Sequence, residues 1–138
     1  TEGGSSASWK HVVDASGNAT VNNDVYISAR ADSTYYGVSH AFGNATSAGG
    51  TASFNSDGDV FVNATSDDYG ISIGVGAMVY GNLGASASIG GDVTALADSK
   101  YQGFSLAYGV YVSSNGNANG TVGTYGHVTA NAGSDDFG

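Results

Sequence analysis

Three kinds of side chain in this 138-residue chain have types and spacings that could do chemistry: a serine framed by glycines, three histidines, and an aspartate that recurs. The segment Gly70-Ile71-Ser72-Ile73-Gly74 matches the frame in which a serine nucleophile is held on a sharp strand-to-helix turn. The same frame returns as Gly37-Val38-Ser39-His40-Ala41 and Gly103-Phe104-Ser105-Leu106-Ala107, so it belongs to a repeat and not to a single catalytic centre. Such a turn also needs a large α/β sheet, which a chain this short and this poor in helix formers cannot build. No catalytic residue is expected, and the chain is not read as an enzyme.

His11, His40 and His127 fall at different points of that repeat, so they stack no column of ligands. His11 with Asp14 offers two ligands, too few to hold zinc well. Asp24, Asp59 and Asp92 open successive repeats, with Asp57 and Asp67-Asp68 nearby. Stacked like charges repel, so this column is either hydrated or bridged by a cation. Calcium is the ion that carboxylate and carbonyl oxygens suit, but the nonapeptide calcium motif is absent. Solvated corner aspartates need no ion, and neither a metal site nor a cofactor is expected. Asn18, Asn44, Asn63 and Asn119 each begin an Asn-x-Ser/Thr triplet, the formal acceptor for N-glycosylation. The four do not share a repeat position.

Composition narrows the class. Three basic residues (Lys10, Arg30 and Lys100) against twelve acidic ones give a net charge of −9. Neither a phosphate-neutralising patch nor a basic membrane-binding stripe can be assembled from them, so nucleic acid is not expected as a partner; a small membrane β-barrel is the lesser alternative, and no membrane insertion is expected, because repeated copies with small inward residues do not need lipid. Without cysteine there is no disulfide framework and no thiolate site. Val, Thr, Tyr, Ser and Gly dominate, which suits strands and turns. A hydrophobic fraction of 41% and 11% aromatics argue against disorder. The chain opens at Thr1 without a charged-then-apolar leader, as expected of a processed chain or a fragment.

The elements that must position these residues form a repeat. Asp24-Val25-Tyr26-Ile27-Ser28-Ala29 returns at Asp59, at Asp92 and at His127, each copy running through Ser to an aromatic residue and a Gly. Cutting after those glycines divides a single domain, residues 1–138, into repeats 1–37, 38–70, 71–103 and 104–138, the first being the least regular. Apolar residues alternate at Val25, Ile27 and Ala29, again along Ile71, Ile73, Val75, Ala77 and Val79, and more weakly along Leu83, Ala85, Ala87 and Ile89. Period two means half-buried strands. About three strands in 33–37 residues cannot bury their own apolar face, and stacking copies does so.

The reading is an all-β, parallel, right-handed β-solenoid of four repeats. It predicts columns Val25/Val60/Val93/Val128 and Ala29/Ala64/Ala97/Ala132. The absence of proline fits, because each interior strand donates to a neighbour. An odd number of strands per repeat would reverse each copy of an antiparallel meander and destroy the columns.

The pattern Gly-Asp-Val-x-[Val/Ala]-x-Ala, followed by Tyr-Gly-Ile-Ser-Ile-Gly-Val-Gly-Ala and Gly-Ala-Ser-Ala-Ser-Ile-Gly, resembles the repetitive stalks of large bacterial surface adhesins and autotransporter passengers. The resemblance covers most of residues 24–138. It implies a secreted β-helix at the cell surface, acting as a structural or adhesive element, and it transfers no functional residue.

The expected function is therefore structural: an extracellular solenoid, either the subunit of a head-to-tail homopolymeric filament or a segment of a long adhesin. The 23 residues before Asp24 are close to the 21–23 that separate each corner Gly from the next Asp or His, so one copy could continue another. A net charge of −9 would keep such fibres from bundling, and outward Tyr, Ser, Asn and Thr could touch surfaces or polysaccharide. The rival is a carbohydrate-binding or carbohydrate-active β-helix, with Tyr26 and Phe61 as the stacking platform. Ice binding wants regular outward Thr ladders, and only Thr94 and Thr129 align.

Overall fold

The computed structural model describes residues 6–34, 37–67, 69–100, 103–122 and 127–134. Among these, every regular element is a strand. The first coil holds β1 (Ser6–Ala15), β2 (Ala19–Asn23) and β3 (Ile27–Ser33). The second holds β4 (Val38–Ala48), β5 (Thr51–Ser56) and β6 (Val60–Ser66). The third holds β7 (Ile71–Gly81), β8 (Gly84–Ile89) and β9 (Val93–Ser99), and the fourth β10 (Phe104–Ser114), β11 (Asn117–Val122) and β12 (Val128–Ser134). Each strand pairs in parallel with its equivalent one coil away, giving a long sheet β1-β4-β7-β10, a short sheet β2-β5-β8-β11 and a third sheet β3-β6-β9-β12.

This is the expected β-solenoid, with one coil per repeat. From β1 to β10 the chain completes three turns, and the fourth repeat adds one more layer to each sheet. The step is 33 residues nearly everywhere, as in Ser6↔Ser39, Val38↔Ile71 and Ile71↔Phe104. The exception is β12, where Val128 pairs with Val93 at a step of 35. Irregularity thus lies in the fourth repeat, between β11 and β12, and the first coil is regular.

That step corrects the predicted columns. Val60 pairs with Ile27, not Val25, and Ala64 pairs with Ala31, not Ala29. The columns are Ile27/Val60/Val93/Val128 and Ala31/Ala64/Ala97/Ala132, while Ala29 stacks on Val62. Matching the Asp-Val pair at 24–25 to its look-alike at 59–60 displaced the first repeat by two residues. Hydrogen bonding fixes register by coil length, and Val25 lies in the turn before β3, exposed.

The long strands also depart from simple alternation. In β7, Ser72 and Gly74 face inward, but so do Ala77, Val79 and Gly81, so the phase reverses at Gly76. Ile71 and Ile73 therefore lie on the outer surface, opposite to Ala77 and Val79. The strand pinches toward the third sheet at this point. A Cβ on Gly76 would sit 2.5 Å from the Gly109 carbonyl oxygen and 2.6 Å from Val93 Cγ1, and Gly43 is equally tight against Gly76 and Val60. The pinch separates two cores. One is built on Phe54, Ile27, Val60, Val79, Ile89 and Val93, the other on Ala29, Ala31, Ala41, Val62, Ala64 and Ala95.

Polar groups inside the coils are mostly paired. Asn44 Nδ2 donates to Thr46 Oγ1 at 3.0 Å, and both residues are buried. Ser72 Oγ donates to the Asp98 carbonyl at 2.8 Å, and Ser105 Oγ to that of Gly133 at 2.6 Å, tying the long sheet to the third.

Candidate functional site

The serine frames are part of this internal lacing. Ser39, Ser72 and Ser105 are buried and bonded to backbone carbonyls, Ser39 Oγ donating to Thr65 O at 2.6 Å. Neither His40 nor His127 lies beside them as a base. His40 stands on the outer surface, edge-on to Phe42 with ring centroids 6.2 Å apart, and His127 lies in the turn before β12. His11 pairs by backbone with Asn44.

The aspartates do not stack as expected. Asp24 belongs two residues earlier than Asp59 in the register, so the column is Tyr26/Asp59/Asp92/His127. Within it each carboxylate serves the next coil: the Asp92 amide donates to Asp59 Oδ1 at 2.8 Å and the His127 amide to Asp92 Oδ1 at 2.9 Å. Asn18 does the same for the Thr51 amide at 2.9 Å. These oxygens continue the coil-to-coil ladder through the turns. Among the described residues no group of three His, Cys, Asp or Glu converges as metal ligands. Asp67 pairs with Lys100 at 3.2 Å, and Asp68 lies outside the described residues.

Asp32 accepts from the Thr65 hydroxyl of the next coil and from Arg30 Nε at 2.9 Å. The Thr65 hydrogen bond is the main cause that holds its carboxyl below the usual carboxylate range. Slight desolvation opposes this, and Arg30 adds to it.

Of the four sequons, Asn18 and Asn119 are exposed and Asn63 is half-buried. Asn44 has no exposed surface. A glycan there is incompatible with the fold, which corrects that expectation. Tyr26 is exposed, but it stands in the column of Asp59, whereas Phe61 stands between Ser28 and Thr94. The two stand on adjacent coils, two residues apart in the register.

What the coils bring together instead is two apolar surfaces. The first is the outward end of the fourth coil. Val93 is 0% exposed, and Val128, one layer further in the same column, is 49% exposed. Val110 and Val112, next to the fully buried Ala77 and Val79, are half-buried and line an open apolar recess with Gly120 and Val128. The first coil differs: Ile27, Ala29 and Ala31 are closed over, while Val13, Ala15 and Val21 are half-buried. Among the described residues β10, β11 and β12 are the outermost strands of the three sheets on the same end, and an edge strand offers a row of N–H and C=O groups to a further strand.

The second surface follows from the glycine pinch. On the outer face of the long sheet the bend makes a groove along the rod axis, lined by Phe42, Ile73, Val75, Met78, Tyr108 and Tyr111. Phe42 and Val75 point outward yet are only 8% and 3% exposed, so they form its floor. Ile71 and Phe104 stand as a ridge on one side, 39% and 51% exposed. Alternation alone could not reveal this groove; the signal was Gly43, Gly76 and Gly109, spaced at 33 residues in mid-strand.

Compared with protein-family models, with curated proteins and with solved structures, the chain matches none of them.

Proposed function

We propose that the protein is a structural β-solenoid element of an extracellular fibre or stalk, extended by stacking coil upon coil. The exposure of Val128 beside the fully buried Val93 carries this reading, since the fourth coil presents the interior of a rod with one layer missing. A further coil supplies that layer, and in a head-to-tail fibre it is the first coil of a second copy. Its β1, β2 and β3 are the strands that the edges of β10, β11 and β12 lack. A 33-residue register sets Val13 of the incoming copy over Val112, and the shared column sets Ile27 over Val128. Such a contact uses two different surfaces and propagates without closing. Parallel layers lie about 4.8 Å apart, so four coils add roughly 19 Å of rod per copy.

Fibre diffraction and electron microscopy of concentrated protein test this. Rods with a reflection near 4.8 Å along the axis are expected. A protein that stays free of axial assemblies at millimolar concentration overturns the reading.

A further inference from the structure

We propose that Asn115 is a self-modification site. The Gly116 nitrogen attacks its side-chain amide, and the turn between β10 and β11 converts from asparagine to aspartate and isoaspartate, with water as the co-reactant. This chemistry does not depend on the axial stacking proposed above. In the first step the Gly116 nitrogen bonds to Asn115 Cγ while the Cγ–Nδ2 bond breaks. Ammonia leaves, taking the Gly116 amide proton, and a five-membered cyclic imide joins the two residues. Water then adds at one of the two imide carbonyl carbons. Opening at one gives aspartate; opening at the other gives isoaspartate, whose main chain runs through Cβ and Cγ. Nothing is oxidised or reduced.

The sequence holds the reactive pair twice, as Asn115-Gly116 and Asn119-Gly120, and in both the glycine has no side chain to shield its nitrogen. The fold separates them. Asn119 and Gly120 lie inside β11, paired with Ser86 and Ala87 of the preceding coil. Closing the ring sets the asparagine ψ far from the value of an extended strand, so the Asn119–Gly120 peptide would have to rotate out of its pairing with β8. Asn115 and Gly116 instead form the turn between Ser114 and Asn117, and both are exposed. At the same position of the second and third coils, the Gly50 and Leu83 amides donate to the preceding coil at 2.8 and 3.0 Å. The Gly116 N–H donates to Ser114 Oγ at 2.9 Å. The attacking nitrogen is thus engaged by a neighbouring hydroxyl, whose oxygen helps to draw its proton away, and no strand pairing has to break.

The two products differ in what they do to the rod. Asn115 Nδ2 donates to Asn82 Oδ1 of the third coil at 2.8 Å, and conversion removes that donor. As aspartate, residue 115 still fits, because Asn82 can turn its own amide over and donate where it had accepted. As isoaspartate, the main chain is longer by one carbon. Gly116 is packed against the third coil, since a Cβ on it would lie 2.1 Å from the Leu83 carbonyl oxygen. A lengthened turn pushes the backbone into that contact and loosens the fourth coil from Asn117 onward.

The test holds the folded protein in mildly alkaline buffer at body temperature and follows each site by proteolysis and mass spectrometry, while ion exchange reads the added negative charge. Conversion at Asn115 is expected at least tenfold faster than at Asn119. In concentrated urea the two sites should convert at similar rates, since both precede glycine and the strand is gone. Asn115→Gln, which would have to close a six-membered ring, should lose the fast conversion. The isoaspartate form, once separated, should unfold at lower urea than Asn115→Asp, which should stay near the wild type. Equal rates at the two sites in the folded protein overturn the proposal, as does faster conversion at Asn119. So does a folded protein that converts at neither site while both convert in urea. An isoaspartate form as stable as Asn115→Asp overturns the loosening of the fourth coil and leaves the modification site standing.

Discussion

The Asp92 amide nitrogen lies 2.8 Å from Asp59 Oδ1, one coil away, and this single bond carries the coil-to-coil ladder through a turn. The main-chain ladder resumes immediately, since the Val60 amide donates to the Asp92 carbonyl at 2.8 Å. The side chain thus stands in for a backbone acceptor where the turn has moved the backbone out of line. The close approach requires Gly91, whose added Cβ would lie 2.4 Å from that same Oδ1 and 2.8 Å from the Gly58 carbonyl.

Asp59→Ala is expected to destabilise the protein by about 1 kcal/mol, the typical net value of an intramolecular hydrogen bond, because the turn is exposed and water replaces part of the bond. Asp59→Asn keeps the acceptor and should retain most of the stability. Gly91→Ala pushes the carboxylate out and should match or exceed the loss of Asp59→Ala. In combination the two losses should fall short of their sum, since both remove one interaction. Urea midpoints of the four variants and the wild type measure this.

Gly76→Ala is expected to be strongly destabilising. Its Cβ meets the Gly109 carbonyl from the neighbouring coil and Val93 Cγ1 from the facing sheet, so it has no flexible side-chain end to displace on the backbone side. Overpacking of this kind costs about 1–3 kcal/mol and occasionally more. Gly84→Ala, whose Cβ would find its nearest neighbours at 3.7 Å, is the control and should be near neutral. Thermal unfolding followed by circular dichroism separates them.

The contrast between these glycines shows what the sequence could convey. The solenoid was legible because β3, β6 and β9 alternate strictly, as in the burial of Val60, Val62, Ala64 and Ser66, and period two with a repeating unit leaves few architectures. The register of the first coil was not, because Asp24-Val25 looks like Asp59-Val60 while hydrogen bonding counts residues per turn. The outer groove was hidden for a related reason. An apolar residue at an odd position reads as core until a mid-strand glycine reverses the phase, and Ile71 and Ile73 precede that reversal while Val79 follows it. The open end of the rod is a property of the last layer, and Val128 looks no different from Val93 in sequence.

Acid should weaken the link between the first two coils. The Thr65 hydroxyl and then Arg30 hold the Asp32 carboxyl below its ordinary range. A carboxylate whose pKa is depressed by folding contributes stability above its unfolded pKa, and loses it as pH falls through the lower, folded value. Thr65→Val removes the largest cause. Wild type should therefore exceed Thr65→Val in stability at neutral pH, and this advantage should shrink as the pH drops through the carboxylate range. The Asp32 side chain is about half exposed, so solvent screening keeps the effect small. Urea midpoints of the two proteins across that range test the sign.

The buried pair Asn44 and Thr46 offers a test of how polar groups sit in such a core. Their side chains bond each other in both directions, at 3.0 and 3.2 Å. One coil further on, the same positions are Ala77 and Val79, both fully buried. Asn44→Ala alone strands the Thr46 hydroxyl in an apolar setting and should cost about 1–3 kcal/mol. The double variant Asn44→Ala with Thr46→Val copies the third coil into the second and removes both partners together. It should recover most of that loss, because replacing a bonded pair by apolar groups of similar shape is close to neutral. A double variant as unstable as Asn44→Ala would mean that the cavity left by Asn44, and not the orphaned hydroxyl, sets the cost. Chemical denaturation of the three proteins decides between the two causes.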